Sequence, residues 1–426
     1  MPLPKLVMRE RRFFKWQALL WRRAEKIGRA FTEASGVRQI IRKEEEMKAV
    51  INGKVYLDSH FAEDKVILFE ETIQQIIDRA DWDGKADQMI DAGGAYVVPG
   101  FVDVHIHGFN GADVMDGKTE SLSVMAKGLT ANGVTSFLAT TMTMGVPVIR
   151  DALAAVRKYT EDAALSRQGA EIVGVHLEGP FINPKKKGAQ RGEDIIPADI
   201  RVIEGYEDLV KVITIAPEMP DNMDFIEKYG DRFCFSIGHT DADYDTAKTA
   251  VHKGAKGMTH LFNAMTPLQH RAPGVVTVGL TEDIYTELIA DTIHVHKGIF
   301  ELIYKQKGVS RLILITDAMR GAGMAEGNYD LGGQEVIIKD GRCLLIDGTL
   351  AGSVLKLNDA VRNFSESTTI GLEKVIPLAT LTPATYIGVQ DRKGSLEVGK
   401  DADIVLLDDK IKVLKTIARG EIKYEA

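Results

Sequence analysis

The spacing of hydrophobic positions changes near residue 96. Before that point apolar and polar residues alternate in three short segments, and no long amphipathic helix separates them. The segments are 49–57, 65–69 and 88–92. Alternation with a period of two is typical of half-buried strands. These residues therefore predict a small β-layer.

From residue 96 onward, short runs rich in β-branched and apolar residues alternate with segments that are apolar every three or four positions. The β-runs are 96–105, 134–141, 171–178, 210–217, 233–239, 257–261, 285–291 and 311–317. The helical segments between them are 121–131, 148–166, 241–252 and 298–306. Eight strands separated by crossovers favour an α/β fold, a parallel (β/α)₈ barrel of the TIM type, over an open sheet.

Turn signals mark the region that follows the eighth run. Gly332-Gly333, Asp340-Gly341 and Asp347-Gly348 predict a hairpin insertion over 321–352, which we place near the barrel mouth. Helical spacing follows at 354–365 and 372–386, and β character returns over 394–423. We therefore expect a barrel over 99–393 and a small β-sandwich built from both flanks, 47–98 and 394–426.

Charge distinguishes the first 46 residues from the rest of the chain. They hold 12 basic and 6 acidic side chains, whereas the remaining 380 residues hold 41 and 55. This basic extension can be interpreted as a surface-binding helix for membrane or nucleic acid, as a targeting segment, or as translated upstream sequence. The purine-rich codons of Lys43-Glu44-Glu45-Glu46, just before Met47, favour the last interpretation. We expect the extension to be non-native or disordered.

Composition excludes several classes of protein. With 45% hydrophobic and 27% charged residues the chain has enough apolar material for a packed core, which argues against disorder. No apolar run approaches the ~18 residues of a membrane-spanning helix. Two cysteines, Cys234 and Cys343, do not make a disulfide framework or a cysteine-ligated zinc module. The net charge of −8 disfavours nucleic-acid binding, so we expect a cytoplasmic protein with neither nucleic-acid nor membrane partners.

Histidines and acids stand at the ends of the predicted barrel strands. His105 and His107 are two apart, so both imidazoles lie on one face of the first strand. The third, fifth, sixth and eighth runs end on Glu178, His239, His260 and Asp317. In a (β/α)₈ barrel the carboxyl ends of the strands form the active face. His, Glu and Asp together there predict a divalent-metal site.

Such a set predicts hydrolysis. A divalent cation lowers the pKa of bound water towards ~7, and a nearby carboxylate can carry its proton to the leaving group. Asp317 is the candidate for this transfer, and an amide is the natural target because its carbonyl gains from polarisation. Glu178 could bridge two cations. His176, two residues before Glu178, is interpreted as lining the barrel rather than as a ligand.

Five strings in order make the chain similar to a known family. They are His176-Leu-Glu-Gly-Pro-Phe181, Ala216-Pro-Glu218, Gly238-His-Thr240, Thr259-His-Leu-Phe-Asn-Ala-Met265 and Thr316-Asp-Ala-Met319. From about Met47 to its end, the chain resembles the N-acetylglucosamine-6-phosphate deacetylases of the amidohydrolase superfamily. The resemblance implies removal of acetate from N-acetyl-D-glucosamine 6-phosphate, giving D-glucosamine 6-phosphate, by a homodimer.

The resemblance also implies residue roles. Glu178, His239 and His260 would hold the main metal, zinc or iron, and Asp317 would act as general base and then acid. Having His105 and His107, the chain is similar to members that bind two metals. Substrate contacts are implied for Ala189, Gln190, Asn263, Ala264, Arg271, His294, Leu350, Ala351 and Gly352. Arg271 would be contributed to the neighbouring subunit's site.

The chain departs from the family pattern at two positions. Gln190 stands where a histidine is frequent, and Thr292 where glycine is frequent, which affects carbonyl polarisation and a local turn. Three alternatives stay open: a cyclic amidase, a barrel that lost its activity, and a binder acting through residues 1–46. A cyclic amidase would bridge its metals with a modified lysine rather than with Glu178.

Overall fold

The computed structural model describes residues 46–426, so the extension predicted for residues 1–46 lies outside the described residues except for Glu46. The flank before the barrel contains seven strands. They are β1 (Lys48–Ile51), β2 (Lys54–Leu57), β3 (His60–Ala62), β4 (Lys65–Phe69), β5 (Ile73–Asp78), β6 (Gln88–Asp91) and β7 (Tyr96–Pro99). The predicted segment 49–57 is interrupted by Asn52, whose φ of 57° turns the chain between β1 and β2.

The barrel strands follow, with a short two-stranded ribbon after the first of them. In chain order these strands are β8 (Phe101–Ile106), β9 (Gly108–Phe109), β10 (Ala112–Asp113), β11 (Val134–Thr141), β12 (Glu171–Glu178), β13 (Val210–Ile215), β14 (Cys234–Ile237), β15 (Ala255–Met258), β16 (Tyr285–Ile289) and β17 (Leu312–Ile315). The predicted insertion contains β18 (Gly327–Leu331), β19 (Gln334–Lys339) and β20 (Arg342–Leu345). The C-terminal flank adds β21 (Ile404–Leu407), β22 (Val413–Ala418) and β23 (Glu421–Glu425).

Helices connect the barrel strands and close the barrel region. They are α1 (Thr119–Leu129), α2 (Val146–Glu161), α3 (Ala163–Ser166), α4 (Asn222–Tyr229), α5 (Tyr244–His252), α6 (Gly274–Thr281), α7 (Phe300–Arg311, interrupted at Gly308), α8 (Leu357–Ser367), α9 (Leu372–Val375) and α10 (Leu381–Tyr386). None of the helices in residues 46–426 is long and apolar enough to cross a lipid bilayer.

The two flanks form two facing sheets. One has the strand order β5-β4-β1-β6, and the other has the order β23-β22-β21-β7-β2-β3. Ile404 and Leu406 of β21 pack in the core between the two sheets, whereas Val405 and Leu407 pack against the barrel core. A strand buried on both faces reads as a continuous apolar run. The predicted β-domain made from both flanks is confirmed, while its boundaries at 98 and 394 stay a prediction.

Eight parallel strands form the barrel in the order β17-β16-β15-β14-β13-β12-β11-β8, which confirms the predicted fold. The barrel closes at its carboxyl end, where Ile106 bridges Ala318 in parallel. The N–H of Asp317 donates to the carbonyl of His105 at 2.8 Å, and that of His107 donates to the carbonyl of Ala318 at 2.9 Å. Closure therefore brings the ends of the first and last barrel strands together.

One predicted barrel strand and two helices differ from the sequence interpretation. The run 96–105 divides at Gly100, so β7 pairs with β21 of the flank sheet and only β8 enters the barrel. A Cβ on Gly100 would lie 2.0 Å from Thr135 Oγ1, so the chain passes where no side chain fits. Helices α4 and α6 were not predicted. The α6 segment is rich in β-branched residues and mostly buried, so it shows no amphipathic period.

Candidate metal centre

Four histidines and two acids meet at the carboxyl end of the barrel. They come from five strand ends, and every one of these side chains is buried. The set is His105, His107, Glu178, His239, His260 and Asp317. The structure therefore brings together all of the side chains that the sequence proposed as metal ligands.

Glu178 lies at the centre of this set. Its Oε1 is 3.3 Å from His105 Nε2, 3.3 Å from His239 Nε2 and 3.2 Å from His260 Nε2. Its Oε2 is 3.3 Å from His107 Nε2. Each carboxylate oxygen thus faces different imidazoles, an arrangement that suits a carboxylate shared between two cations.

Asp317 faces the first-strand pair. Its Oδ1 is 3.2 Å from His107 Nε2 and 3.5 Å from His105 Nε2. The Nε2 atoms of His239 and His260, in turn, are 3.2 Å apart. Two clusters of possible ligand atoms result, one of His105, His107 and Glu178 and one of Glu178, His239 and His260.

In His107 and His239 the other ring nitrogen faces a backbone carbonyl, whereas Nδ1 of His260 has no hydrogen-bond partner among residues 46–426. His107 Nδ1 lies 3.3 Å from the carbonyl oxygen of Thr140, and His239 Nδ1 lies 2.9 Å from that of Lys186. A carbonyl oxygen only accepts, so in the neutral ring Nδ1 carries the hydrogen and Nε2 presents its lone pair. These lone pairs point at carboxylate oxygens, which also only accept. A cation between them removes that repulsion, so the residues fit a divalent metal.

The charges of the metal-free cluster are strongly coupled. Burial lowers the pKa of His107, but Asp317 and Glu178 outweigh it and raise that pKa to about 9. The pKa of His105 is raised well above its ordinary value for the same reason. Burial raises the pKa of Asp317, yet the two imidazoles bring it down to about 2, and the pKa of Glu178 is also well below its ordinary range. A bound cation would take the place of the protons on the imidazoles.

Three of these residues adopt backbone angles that are uncommon outside glycine. The φ angles are 37° at His239, 28° at His260 and 49° at Asp317. Such angles cost on the order of 1–3 kcal/mol each and tend to cluster at functional sites. The strain aims the side chains that follow β14, β15 and β17 at the centre of the barrel mouth.

Glu218, from the Ala-Pro-Glu string after β13, holds the neighbouring loops. Its Oε1 accepts from Asn183 Nδ2 at 2.8 Å and from the Asp241 N–H at 2.6 Å, and its Oε2 accepts from Thr240 Oγ1 at 2.6 Å. Since Thr240 follows His239, these bonds fix the loop that carries His239. Glu218 thus joins the ends of three adjacent strands.

A cavity of about 280 Å³ opens above the cluster. Most of the predicted substrate contacts line it, and the hairpin insertion contributes to its wall, as expected. The predicted contacts that line it are Ala189, Gln190, Asn263, Ala264, His294, Leu350 and Gly352. Ala351 instead packs in the core of the insertion. Arg271 is exposed and does not line the cavity of the single chain.

His294 lines this cavity as a histidine with a carboxylate partner. Its Nδ1 is 2.6 Å from Asp291 Oδ2, and its backbone N–H donates to Asp291 Oδ1 at 2.8 Å. Burial lowers the pKa of His294, but Asp291 and Asp317 outweigh it, so the net shift is upward. A cationic ring here suits an anionic ligand group. Beside it, Thr292 has a φ of 68°, a conformation in which glycine is unstrained.

Gln190, which stands where the family often has histidine, is held at both ends of its amide. The Thr143 N–H donates to Oε1 at 2.6 Å, and Nε2 donates to Glu178 Oε2 at 2.5 Å. The backbone donor fixes the orientation of the amide, because only Oε1 can accept. Gln190 therefore buttresses Glu178 from the cavity side.

Sequence reasoning left His176 without a ligand role and missed Glu287 and Lys186. Both ring nitrogens of His176 are paired, Nδ1 with the Val104 carbonyl at 3.0 Å and Nε2 with Thr214 Oγ1 at 2.7 Å. Glu287 touches His105, and the only signal for it was an acid inside a buried apolar strand. Lys186 lines the cavity, and no pattern separates it from the neighbouring lysines.

Comparisons with known proteins agree with this geometry. The chain matches the amidohydrolase family over residues 96–423. It is 43% identical over 334 residues to the N-acetylglucosamine-6-phosphate deacetylase of Bacillus subtilis (strain 168), covering 77% of this chain and 84% of that protein. The crystal structure of N-acetylglucosamine-6-phosphate deacetylase from Pasteurella multocida has a TM-score of 0.83 and 32% identity, covering 88% of this chain and 99% of that one. A mutant of the Mycobacterium smegmatis deacetylase in complex with N-acetyl-D-glucosamine-6-phosphate has a TM-score of 0.81 and 28% identity, with coverages of 88% and 99%.

Proposed function

Because this chain belongs to the amidohydrolase family and, within it, to the N-acetylglucosamine-6-phosphate deacetylases, we propose that it hydrolyses N-acetyl-D-glucosamine 6-phosphate to D-glucosamine 6-phosphate and acetate. The family membership expected from the motifs is confirmed. The observation that carries the reaction is the convergence of four imidazoles on Glu178 and Asp317 beneath a cavity. That arrangement provides cation ligands and, in Asp317, a carboxylate for proton transfer at the same place.

Glu178, His239 and His260 hold one divalent cation in this proposal, and His105 and His107 hold a second with Glu178 and Asp317. The lone pairs of the Nε2 atoms and the acceptor-only oxygens they face support both positions. Histidine and carboxylate donors accept zinc and iron alike, so zinc or ferrous iron is proposed. Such a cation, when bound, polarises the acetyl carbonyl and makes water more acidic.

Asp317 carries the proton transfer. Its carboxylate takes a proton from the attacking water and gives it to the amide nitrogen as the carbon–nitrogen bond breaks, so that the amine leaves and acetate remains. Asp317 Oδ1 lies 3.2 Å from His107 Nε2, which places the carboxylate beside the first-strand pair.

Substrate recognition is divided between the cavity wall and a neighbouring subunit. His294, oriented by Asp291, binds the phosphate, while Asn263 and the Ala264 backbone hold the phosphate and sugar. Ala189 and Gln190 face the acetamido group, and Leu350 and Gly352 of the insertion cover the sugar, while the buried Ala351 between them supports this segment from the core.

Arg271 acts from the second subunit of a homodimer in this proposal. It is exposed, and the described chain gives it no place in its own cavity. A planar guanidinium suits phosphate oxygens, so a partner's arginine would complete the anion site. We place the enzyme in the cytoplasm, with a phosphorylated amino sugar as its ligand.

The test uses one purified sample. Metal content is measured by elemental analysis, and acetate release is compared for N-acetyl-D-glucosamine 6-phosphate and N-acetyl-D-glucosamine. We expect one to two equivalents of divalent metal per chain and a strong preference for the phosphorylated sugar. Equal rates on both sugars would contradict the phosphate site, and no acetate release from the loaded enzyme would contradict the reaction.

A further inference from the structure

A buried acid lies behind the cluster, on the side away from the cavity. Glu287, in the middle of β16, is 1% exposed. Its Oε2 accepts from His105 Nδ1 at 3.0 Å and from the backbone N–H of His260 at 3.2 Å. Its Oε1 has no hydrogen-bond partner among residues 46–426. One carboxylate oxygen thus touches one residue from each of the two proposed cation positions.

The burial of this carboxylate needs a cationic neighbour. Transfer of an ionised acid out of water costs several kcal/mol unless a charge or a metal offsets it. Within the described chain, the ion-pair partner of Glu287 is the His105 ring, and no lysine or arginine reaches it. A neutral hydroxyl or amide could accept from the same two donors without this cost. The contact of this buried acid with His105 therefore points to a role directed at that ring.

Among the proposed histidine ligands, His105 differs in the partner of its Nδ1, since Nδ1 of His260 has no hydrogen-bond partner among residues 46–426. His107 and His239 present Nδ1 to neutral backbone carbonyls, whereas His105 presents Nδ1 to a carboxylate. A carboxylate on Nδ1 fixes the hydrogen there, leaves Nε2 as the ligand atom and makes that atom more basic. Within residues 46–426, His105 Nε2 has no hydrogen-bond partner, and it lies 3.3 Å from Glu178 Oε1 and 3.5 Å from Asp317 Oδ1.

We propose that Glu287 is a positioning residue that sets the affinity of the cation position formed by His105 and His107. Glu287 orients and polarises the His105 ring. Its bond to the backbone N–H of His260 also holds the strained backbone of that residue, which belongs to the second cation position, at a fixed place beside His105. The inference rests on the cation sites of the proposed function, but not on the substrate.

The same atoms could be read as an independent ion site, since His105, His176 and Glu287 also cluster. His176 argues against that reading. Its Nδ1 lies 3.0 Å from the Val104 carbonyl oxygen and its Nε2 lies 2.7 Å from Thr214 Oγ1, so both ring nitrogens are already hydrogen-bonded and neither offers a lone pair to an ion.

The experiment measures zinc binding by the full chain. Metal is removed with a chelator, and Zn²⁺ is titrated against a chromophoric competitor for the natural sequence, Glu287→Gln and the control Thr286→Val. Thr286 is the buried neighbour on the same strand; its hydroxyl donates to the Gly279 carbonyl, and it belongs to neither cluster of possible ligand atoms. The His105→Ala variant identifies the zinc equivalent that depends on the first-strand pair.

We expect Glu287→Gln to lower the zinc affinity of the equivalent that depends on His105 by about 10–100-fold. The other equivalent should change by less than about threefold, and Thr286→Val should change neither. Unchanged affinity in Glu287→Gln, or equal weakening of both equivalents, would overturn the proposal. So would a natural protein that binds a single equivalent. A protein that binds zinc as expected but releases no acetate would instead contradict the proposed function alone.

A second measurement needs no variant at Glu287. In the zinc-loaded natural protein, ring nitrogen chemical shifts report which nitrogen of each histidine is bound to metal and which carries hydrogen. We expect His105 to be bound through Nε2 with hydrogen on Nδ1. Metal on Nδ1 of His105 would overturn the proposal even if Glu287→Gln does not fold.

Discussion

The side-chain amide of Gln190 donates to Glu178 Oε2 at 2.5 Å while its oxygen accepts from the Thr143 N–H at 2.6 Å. The central carboxylate of the cluster is thereby tied to the loop after β11. The neutral amide of Gln190 thus holds the Glu178 carboxylate in place and adds no charge to the cluster.

Gln190→Leu should destabilise the protein. The Thr143 N–H and one oxygen of Glu178 lose their partner in a buried site, which costs about 1–3 kcal/mol for each unpaired group. Gln190→His, the family's frequent residue, keeps one donor and one acceptor and should lose less. Denaturant unfolding of both variants checks this, and a leucine variant as stable as the natural protein would show that the bond contributes nothing.

Asp317→Asn should retain metal and lose turnover. Asparagine keeps an oxygen near His107 but cannot take and return a proton, and general acid–base catalysis contributes about 10²–10⁴-fold. The measurement is acetate release together with metal content for each sample. Near-normal turnover in a metal-loaded variant would place the proton transfer on another group.

His105→Ala should lower the metal content. The variant removes a ligand from the first-strand pair and leaves Glu178, His239 and His260 in place, so we expect about one equivalent fewer per chain. His252→Ala, at an exposed position, is the matched control. Unchanged stoichiometry in His105→Ala would argue for a single-ion site.

Lys393→Met should weaken the contact between barrel and β-domain. Lys393 is 1% exposed, and its Nζ lies 2.8 Å from carboxylate oxygens of Glu171, Asp401 and Asp403. Removal of the cation leaves Asp403 without an ion-pair partner among residues 46–426, while Glu171 and Asp401 keep only Arg392 and, at 3.9 Å from Glu171, Arg419. Breaking such a buried pair typically costs about 3–5 kcal/mol. The surface variant Lys85→Met should change stability little, because its pair with Asp83 is exposed.

The same variant should respond to acid differently from the natural protein. Burial raises the pKa of Glu171, but Lys393 and Arg392 outweigh it and lower that pKa to about 2, below its ordinary 4.5. A depressed folded pKa gives stability that is present above pH 4.5 and lost as pH falls towards 2. The deficit of Lys393→Met should therefore shrink over that window. A deficit that is constant from pH 6 to pH 2.5 would contradict this coupling.

Thr292→Gly should stabilise the loop before His294. Thr292 has a φ of 68°, and this backbone strain costs a β-branched residue on the order of 1–3 kcal/mol. Glycine avoids the strain, but it loses more conformational entropy on folding, which costs about 0.5–1 kcal/mol. We expect a net gain of about 1 kcal/mol in thermal unfolding. Thr292→Ala keeps a Cβ and should gain less. A destabilised glycine variant would show that the hydroxyl makes a contact worth more than the strain.

Sequence periodicity was sufficient for the barrel and for its chemistry. Each barrel strand carries a run of buried apolar residues, and Glu178 or a histidine just beyond a run is visible as a departure from that run. Because parallel strands place their carboxyl ends at one edge, the position in the run alone predicted which side chains meet. The β-domain followed from the alternating period of both flanks.

Contacts between distant segments decided the rest. The run 96–105 divides at Gly100, where Thr135 leaves no room for a Cβ, and α6 is a mostly buried helix whose sequence shows no amphipathic period. Glu287 and Gln190 acquire their partners only when β16 and the loop after β12 face the cluster.

The sequence by itself determined the strand order, the insertion and the identity of the candidate ligands, because these depend on local period and on the direction of each strand. Only the tertiary structure decided which nitrogen of each histidine faces the cluster and that Glu287 supports His105. It also decided that Arg271 does not line the cavity of its own chain. Those properties depend on hydrogen bonds and burial between residues far apart in the chain, and no local pattern records them.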